Sequence, residues 1–386
     1  MRDSRFTAMA RIAAAELFEI ETTLTKPYGL SKTYGTLTST RAVLLKLSDR
    51  DGTVGWGEAN PMPPFTAESP REAAEVLRDV LLPAVMSAES PEPNSIEQQL
   101  DNLTSEHLCA KGAVSMALLD LLGKRLQVPV ATLLGGAVRT SIPVMGPLGT
   151  GSVEDDVRVI EEMGSRGFSS FMIKMGSAPV RHEIERVAAL ETRHGARIKF
   201  CADANQGWTR EEAREFLDGV QGSHLVFVEQ PVAKSDLPGL TALAKASALP
   251  ISVDESLTDL SVAAQIAALG SARVFSIKSS KNGGPLRAQR IATVARSFGI
   301  RCFMNSMIEF GITQAASLQH AVTVTNLVDI GHAFMSPLRL SEDPTDFGSF
   351  VRNAVVHLPN APGLGVTVDE AHVRRLAIAH HRMDAQ

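Results

Sequence analysis

Five residues define the chemistry open to this chain: Lys174, Asp203, Glu229, Asp254 and Lys278, which follow one another at intervals of 29, 26, 25 and 24 residues. Each ends a short apolar run that reads as a buried strand. Phe168-Ser-Ser-Phe-Met-Ile-Lys174 is bounded by Gly167 and Gly176, and Ile198-Lys-Phe-Cys-Ala-Asp203 and His224-Leu-Val-Phe-Val-Glu229 end in acids. Pro250-Ile-Ser-Val-Asp254 and Val274-Phe-Ser-Ile-Lys278 complete the series. A helical stretch follows each run, and one strand, one helix and two loops per step is the period of a (β/α)₈ barrel, whose strand ends share one face. One such acid alone would do no more than cap the next helix; three on consecutive strands with flanking lysines make a site.

Three carboxylates are hard oxygen donors, the set that Mg²⁺ prefers, with Mn²⁺ as a substitute, and they leave positions open for water and substrate. Zinc is disfavoured, because neither a histidine cluster nor a cysteine pair has ligand spacing. In a closed barrel the strands of Lys174 and Lys278 lie across the mouth from each other. A substrate carboxylate on the metal would then hold its α-carbon between two amines. Removing the α-proton gives an enediolate, whose charge a divalent cation stabilises. The cation and the opposite lysine would lower the pKa of each amine toward the range of a base.

The elements that position these groups are legible in outline. Residues 1–9 read as a short extension and residues 12–24 as a strand, although Ala13 to Leu17 suits a helix equally well. A second strand over residues 42–47, the turn signal Asp51-Gly52 and a return at Val54-Gly-Trp-Gly-Glu58 make an antiparallel meander. Ser69-Pro70-Arg71-Glu72 is a capping box, and Ser152 with Asp155 and Thr209 with Glu212 start later helices. Helical spacing marks residues 110–124. Ile142-Pro-Val-Met-Gly146 is read as the first barrel strand, Arg301-Cys-Phe-Met304 as the seventh and Leu327-Val-Asp329 as the eighth. The division expected is a cap over 1–136, a barrel over 137–355 and a tail over 356–386 that returns to the cap.

Length and charge narrow the class. The 386 residues carry a formal net charge of −5 and a pI near 6.1, which argues against nucleic acid or an anionic membrane as partner. Cys109, Cys201 and Cys302 show no paired spacing and suit a reducing compartment. No apolar run reaches membrane-spanning length, and the first residues lack a signal-peptide core. The expectation is a cytoplasmic enzyme, homo-oligomeric, acting on a small carboxylate.

The motifs resemble the enolase superfamily, in particular its muconate lactonizing enzyme subgroup, over nearly the whole chain. Asp203-Ala-Asn205, Val228-Glu229-Gln-Pro231 and Asp254-Glu255-Ser256 are similar to the three metal-ligand segments, and Ile277-Lys278-Ser-Ser-Lys281-Asn-Gly283-Gly284 to the second catalytic-lysine segment. The resemblance implies a modified (β/α)₇β barrel, an α/β fold, with an α+β capping domain made from both termini, and Mg²⁺-assisted abstraction of a proton α to a carboxylate. It assigns Lys174 and Lys278 as catalytic and Asp203, Glu229 and Asp254 as metal ligands. Two departures stand out. The first lysine of the usual Lys-x-Lys is Met172 here, pointing with Lys174 by alternation. The Asp-x-Asp that holds a dipeptide's ammonium is Asp329-Ile-Gly331, which makes a dipeptide substrate less expected.

Around the site, Asn205, Tyr28, Tyr34, Glu309 and Asp329 are the candidate substrate-binding residues. Glu309 serves either ammonium binding or local support. Residues 24–35 form the expected lid, with a second contact near residues 56–61. The leading functional expectation is a two-base racemase or epimerase of an amino-acid derivative. A muconate-type cycloisomerase, a dehydratase of a hydroxylated acid and a non-catalytic metal-dependent binding protein are the alternatives.

Overall fold

The computed structural model describes residues 9–385; apart from Met9, the extension read over residues 1–9 lies outside them. The first apolar stretch resolves as strand and not helix. β1 (Ile12–Gly29) pairs antiparallel with β2 (Thr36–Asp49), which pairs with β3 (Val54–Ala59). The Asp49 carboxylate makes the turn between the last two by accepting the N–H groups of Asp51 and Thr53 at 3.0 and 2.8 Å.

Small residues let a helix lie directly on this sheet. A Cβ at Gly57 would stand 1.9 Å from the carbonyl oxygen of Ala113, and one at Gly55 2.1 Å from that of Ala117. Helix Leu108–Leu126 therefore rests against the β3 backbone itself. From that helix Asp120, 2% exposed, accepts the N–H of Trp56 at 2.9 Å and of Leu364 at 2.8 Å while pairing with Lys124 at 2.7 Å. One carboxylate thus ties the meander, the helix and the Pro362-Gly-Leu-Gly365 segment. The Ser69 capping box forms as expected and opens helix Pro70–Val76.

The barrel begins later than the apolar run suggested. β4 (Ser141–Pro143) pairs with a small antiparallel sheet, and the first barrel strand is β5 (Gly146–Leu148). There follow β6 (Ser170–Lys174), β7 (Lys199–Asp203), β8 (Val228–Glu229), β9 (Ile251–Val253), β10 (Val274–Ile277) and β11 (Arg301–Met304), all parallel and in sequential order. A helix follows every one of these seven. Closure is made by an irregular eighth segment, bridging at Cys302 with Leu327 and at Val144 with His332. Met145, Met172, Cys201, Phe227 and Phe303 fill the interior, so this is a packed core and not a pore. β12 (Val351–Arg352) and β13 (Val355–His357) complete the small sheet with β4, and β14 (Ala377–Asp384) returns to pair with β1. The three cysteines are free and buried. Among the described residues no helix is long and apolar enough to cross a membrane.

Two buried histidines give the fold a pH signature. Burial pushes His320, whose two ring nitrogens lack partners, down to about 3 from 6.5. His332, whose Nδ1 accepts the Met304 N–H at 3.0 Å, is also pushed down to about 3. Both folded values lie below the unfolded one, so the unfolded chain binds more protons between those limits. The stability they contribute is complete above pH 6.5 and is lost as pH falls toward 3. Buried acids pushed upward, Glu58 to about 8 and Asp343 to about 6, act in the opposite sense. The difference between variants is therefore the readable quantity. His320→Leu should gain on the parent by about 1.4 kcal/mol for each pH unit between 6 and 4, measured by urea unfolding; a gap that does not change with pH would refute the titration. Asp120→Ala should cost about 3 kcal/mol or more by the same measurement, because it strands Lys124 and two buried N–H groups.

Candidate active site

Parallel register brings the acids to one level. Lys174 lies opposite Asp203, and Asp203 opposite Glu229, in adjoining strands, and Asp254 directly follows β9. All three carboxylates are 0% exposed. Lys174 Nζ makes a short ion pair with Asp203 Oδ2. Lys278 Nζ stands 2.6 Å from Asp254 Oδ2, and Lys281 Nζ 3.2 Å from its other oxygen. Asn305 Nδ2 donates to Glu229 Oε1 at 2.8 Å. Burial works against the charge on Lys174 and on Lys278, yet Asp203 and Asp254 outweigh it and hold both ammonium groups above the ordinary lysine value. The depression expected for these amines is absent in this charge state. Glu229 is pushed well above the usual carboxylate range by burial, then by Asp203 and Asp254.

The lid is in contact with the mouth. β1 runs on into residues 24–35 as far as Gly29, and residues 30–35 make the turn into β2, so the stretch is a hairpin and not a free loop. Ser31 Oγ donates to the Asn205 carbonyl at 2.8 Å, and Lys32 N–H to that of Gly176 at 3.0 Å. Tyr34 OH donates to Glu255 Oε1 at 3.1 Å, next to Asp254, and accepts from Gln206. Asn205 Nδ2 reaches the same oxygen of Glu255 at 3.4 Å. Tyr28 lines a cavity together with Lys174, Met172, Asn305, Met335 and Arg339. Met172 thus faces inward with Lys174, its sulfur 3.4 Å from Cys201 Sγ.

Two of the expected substrate contacts take other places. Asp329 is on the wrong end of the barrel: its side chain is 94% exposed and pairs at 2.8 Å with Lys199, the first residue of β7, whereas the site lies at the last. The eighth segment runs further than its apolar start implied, and Met335 and Ser336 are the residues that reach the cavity. Gly331 is glycine for packing, since a Cβ there would lie 2.8 Å from the Val144 carbonyl carbon at the seam. Glu309 is buried in local support, accepting the Met307 N–H at 2.7 Å and Gln314 Nε2 at 3.1 Å. Residues not foreseen include Lys281, which stood in the quoted lysine motif, and Phe65, whose ring centroid is 4.0 Å from Lys278 Nζ. From the cap it is Phe65, just beyond the expected residues 56–61, that packs against Lys278.

Among the described residues no three acid, histidine or cysteine side chains converge as a ready metal cluster, because Asp203 and Asp254 are turned to their lysines. The donor chemistry nevertheless fits Mg²⁺. Three buried carboxylates share one level, and Glu229 Oε2 and the neighbouring Glu255 Oε2 are buried without a hydrogen-bond partner, which a hard cation would remedy. A larger open groove of about 810 Å³ lies elsewhere, between helices Arg210–Gly219 and Leu237–Ala246 near Pro250 at the start of β9, and holds none of these groups.

Replacing Glu229 separates the two roles of the acid row. Glu229→Gln replaces an acid whose charged form burial and its acidic neighbours disfavour, so in EDTA it should unfold at the parent's temperature or above. The parent should gain about 2.7 kcal/mol when Mg²⁺ reaches a hundred times its dissociation constant, and the variant should gain almost nothing. An equal Mg²⁺-dependent shift in both would rule Glu229 out as a ligand.

Comparison with known proteins agrees with this geometry. Residues 13–135 match the mandelate racemase/muconate lactonizing enzyme N-terminal domain, and residues 155–372 the enolase C-terminal domain-like family. The chain is 31% identical to muconate cycloisomerase 1 of Pseudomonas putida over 345 residues, 89% of this chain and 92% of that one. It is also 31% identical to the L-Ala-D/L-Glu epimerase of Bacillus subtilis over 360 residues, covering 92% and 96%. The crystal structure of N-succinyl Arg/Lys racemase from Bacillus cereus superposes with a TM-score of 0.91 at 27% identity, covering 97% of this chain and all of that one. The chain belongs to the mandelate racemase/muconate lactonizing enzyme family of the enolase superfamily, in the muconate lactonizing subgroup, and is an isomerase.

Proposed function

We propose that this isomerase removes the proton α to the carboxylate of a small amino-acid derivative and returns it to either face, with Lys174 and Lys278 as the two bases. The observation that carries the reading is the placement of Lys174, 12% exposed, and the buried Lys278 at the ends of the second and sixth barrel strands, each paired with the acid at its own end of one row. In an eight-membered closed barrel those strands are opposite, so amines on them address opposite faces of a carbon held between them. Asp203, Glu229 and Asp254 are the residues that would hold Mg²⁺, and a cation held there would offset the charge growing on the substrate carboxylate as its α-proton leaves. Asp203 and Asp254 also fix the reach of each ammonium. Phe65 packs over Lys278, and the latch from Tyr34 to Glu255 closes the lid side, so water is kept from the carbanion-like centre.

A muconate-type cycloisomerase is the second reading. It uses the same lysines, and the identity to such an enzyme equals that to the epimerase. Stereochemistry and isotope exchange divide the two. Lys174→Ala and Lys278→Ala should each lower net racemisation by about 10³-fold. Each should still exchange the α-proton for deuterium in D₂O with the one enantiomer whose proton faces the surviving lysine. Racemisation at the parent rate in either variant would overturn the two-base reading. If only Lys278 proves dispensable, one-base cycloisomerisation with Lys174 becomes the better account.

A further inference from the structure

One layer of the barrel interior brings three sulfur atoms together. Side chains alternate along a strand, so the residue two positions before each mouth group points the same way, about 7 Å deeper. Below Lys174 on β6 that residue is Met172, and below Asp203 on β7 it is Cys201. Met145, which directly precedes β5, joins them in the same interior cluster. The Cys201 sulfur lies 3.4 Å from that of Met172 and 3.9 Å from that of Met145. All three side chains are buried, and the cysteine is free. Met145 and Met172 also line the cavity beside Lys174, which gives a path to the sulfurs from the mouth. Packing accounts for apolar side chains in such a layer. It does not ask that three of them be sulfurs meeting at one point.

Thiolate and thioether are soft donors, and together they select a cuprous ion over the hard cations suited to the carboxylates one layer above. With metal–sulfur bonds of about 2.3 Å, three sulfurs around one ion stand about 4 Å apart. The spacings of 3.4 and 3.9 Å already approach that arrangement, and the rotatable bonds of methionine take up the difference. As the ion binds, the thiol proton leaves for solvent, so thiolate and monovalent cation together bring no net charge beneath the pair of Lys174 and Asp203. We infer that Met145, Met172 and Cys201 form a second metal site, for the soft monovalent cation Cu(I), in the layer beneath the row of acids. The site is independent of which proton the enzyme moves.

The probe is Cu(I) alone, supplied without oxygen to the whole chain in excess Mg²⁺ from a coloured chelator whose bleaching reads the transfer. One equivalent per chain should pass to the parent and to the Cys109→Ser/Cys302→Ser double variant. Affinity should fall at least about tenfold in Met172→Leu and in Met145→Leu, no less than the loss of an outer-shell partner costs a metal site, and further in Cys201→Ser. Leucine conserves the volume of methionine, so both leucine variants keep the fold, and circular dichroism checks every variant. X-ray absorption of the loaded parent should show a shell of sulfur alone at about 2.3 Å. No transfer to the parent, transfer that survives Cys201→Ser, or loss of transfer in a folded double variant overturns the inference. So does a loss in Cys201→Ser that neither leucine variant shares, which would mean a lone reactive thiol. Oxygen or nitrogen in the shell overturns it as well, because the ion would then sit on other side chains.

Discussion

Carboxylates buried side by side repel one another, and the barrel mouth is arranged around that repulsion. Asp203, Glu229 and Asp254 are fully buried on consecutive strands, with Glu255 beside them. Lys174 takes the first acid, and Lys278 and Lys281 take the third. Burial works to raise Asp254, yet its two lysines hold it below the ordinary value. Glu229, in the middle, accepts from Asn305 and makes no ion pair among the described residues; burial, Asp203 and Asp254 push it well above the usual carboxylate range against the opposing pull of Lys278 and Lys174. Buried ion pairs of this kind contribute little net stability, but losing one partner costs several kcal/mol. The row is thus better understood as fixing positions than as holding the fold together.

That arrangement needs walls which the barrel alone does not supply. Tyr34 anchors the first hairpin to Glu255, Ser31 anchors it to Asn205, and Phe65 covers Lys278. Glu58, from β3, accepts the N–H groups of Phe310 and Thr313 at 2.8 and 2.9 Å, at the start of the helix Gly311–Ala321. The cap thereby satisfies backbone donors that a helix start leaves open. These contacts cross the domain division at several independent points. The cap is consequently part of the site's construction.

Much of this was legible in the sequence, for a physical reason. Parallel strands buried on both faces appear as brief apolar runs, and the fixed length of strand plus helix imposes a regular interval on whatever stands at their ends. Lys174, Asp203, Glu229, Asp254 and Lys278 could be placed that way, as could the helices opened by Ser69, Ser152 and Thr209. The barrel seam was not. Residues 327–333 make only isolated bridges, so no alternation marks their register, and Asp329 was set at the mouth although it lies at the far end. The run from Ile142 to Gly146 belongs partly to one sheet and partly to another. Phe65 and Arg339 acquire their places through contacts with residues more than two hundred positions away, and nothing in their local pattern announces it.

The exchange at position 172 follows the same division between strand and wall. In a family that usually carries a second lysine there, an ammonium would face a thiol with one thioether beyond it; Met172 instead packs against Cys201, with Met145 3.9 Å from the same sulfur. Lys174 is left with Asp203 as its strong partner, and the cavity's second cation comes from Arg339, on a turn after the seam and beneath the lid. A second positive charge is thus absent from the strand of Lys174 and present on a turn that carries none of the buried acids. A residue on the strand sets the field at Lys174, whereas a residue on the turn shapes the wall of the cavity. The two can vary separately because rigid parallel strands set the first and the contact between lid and seam sets the second.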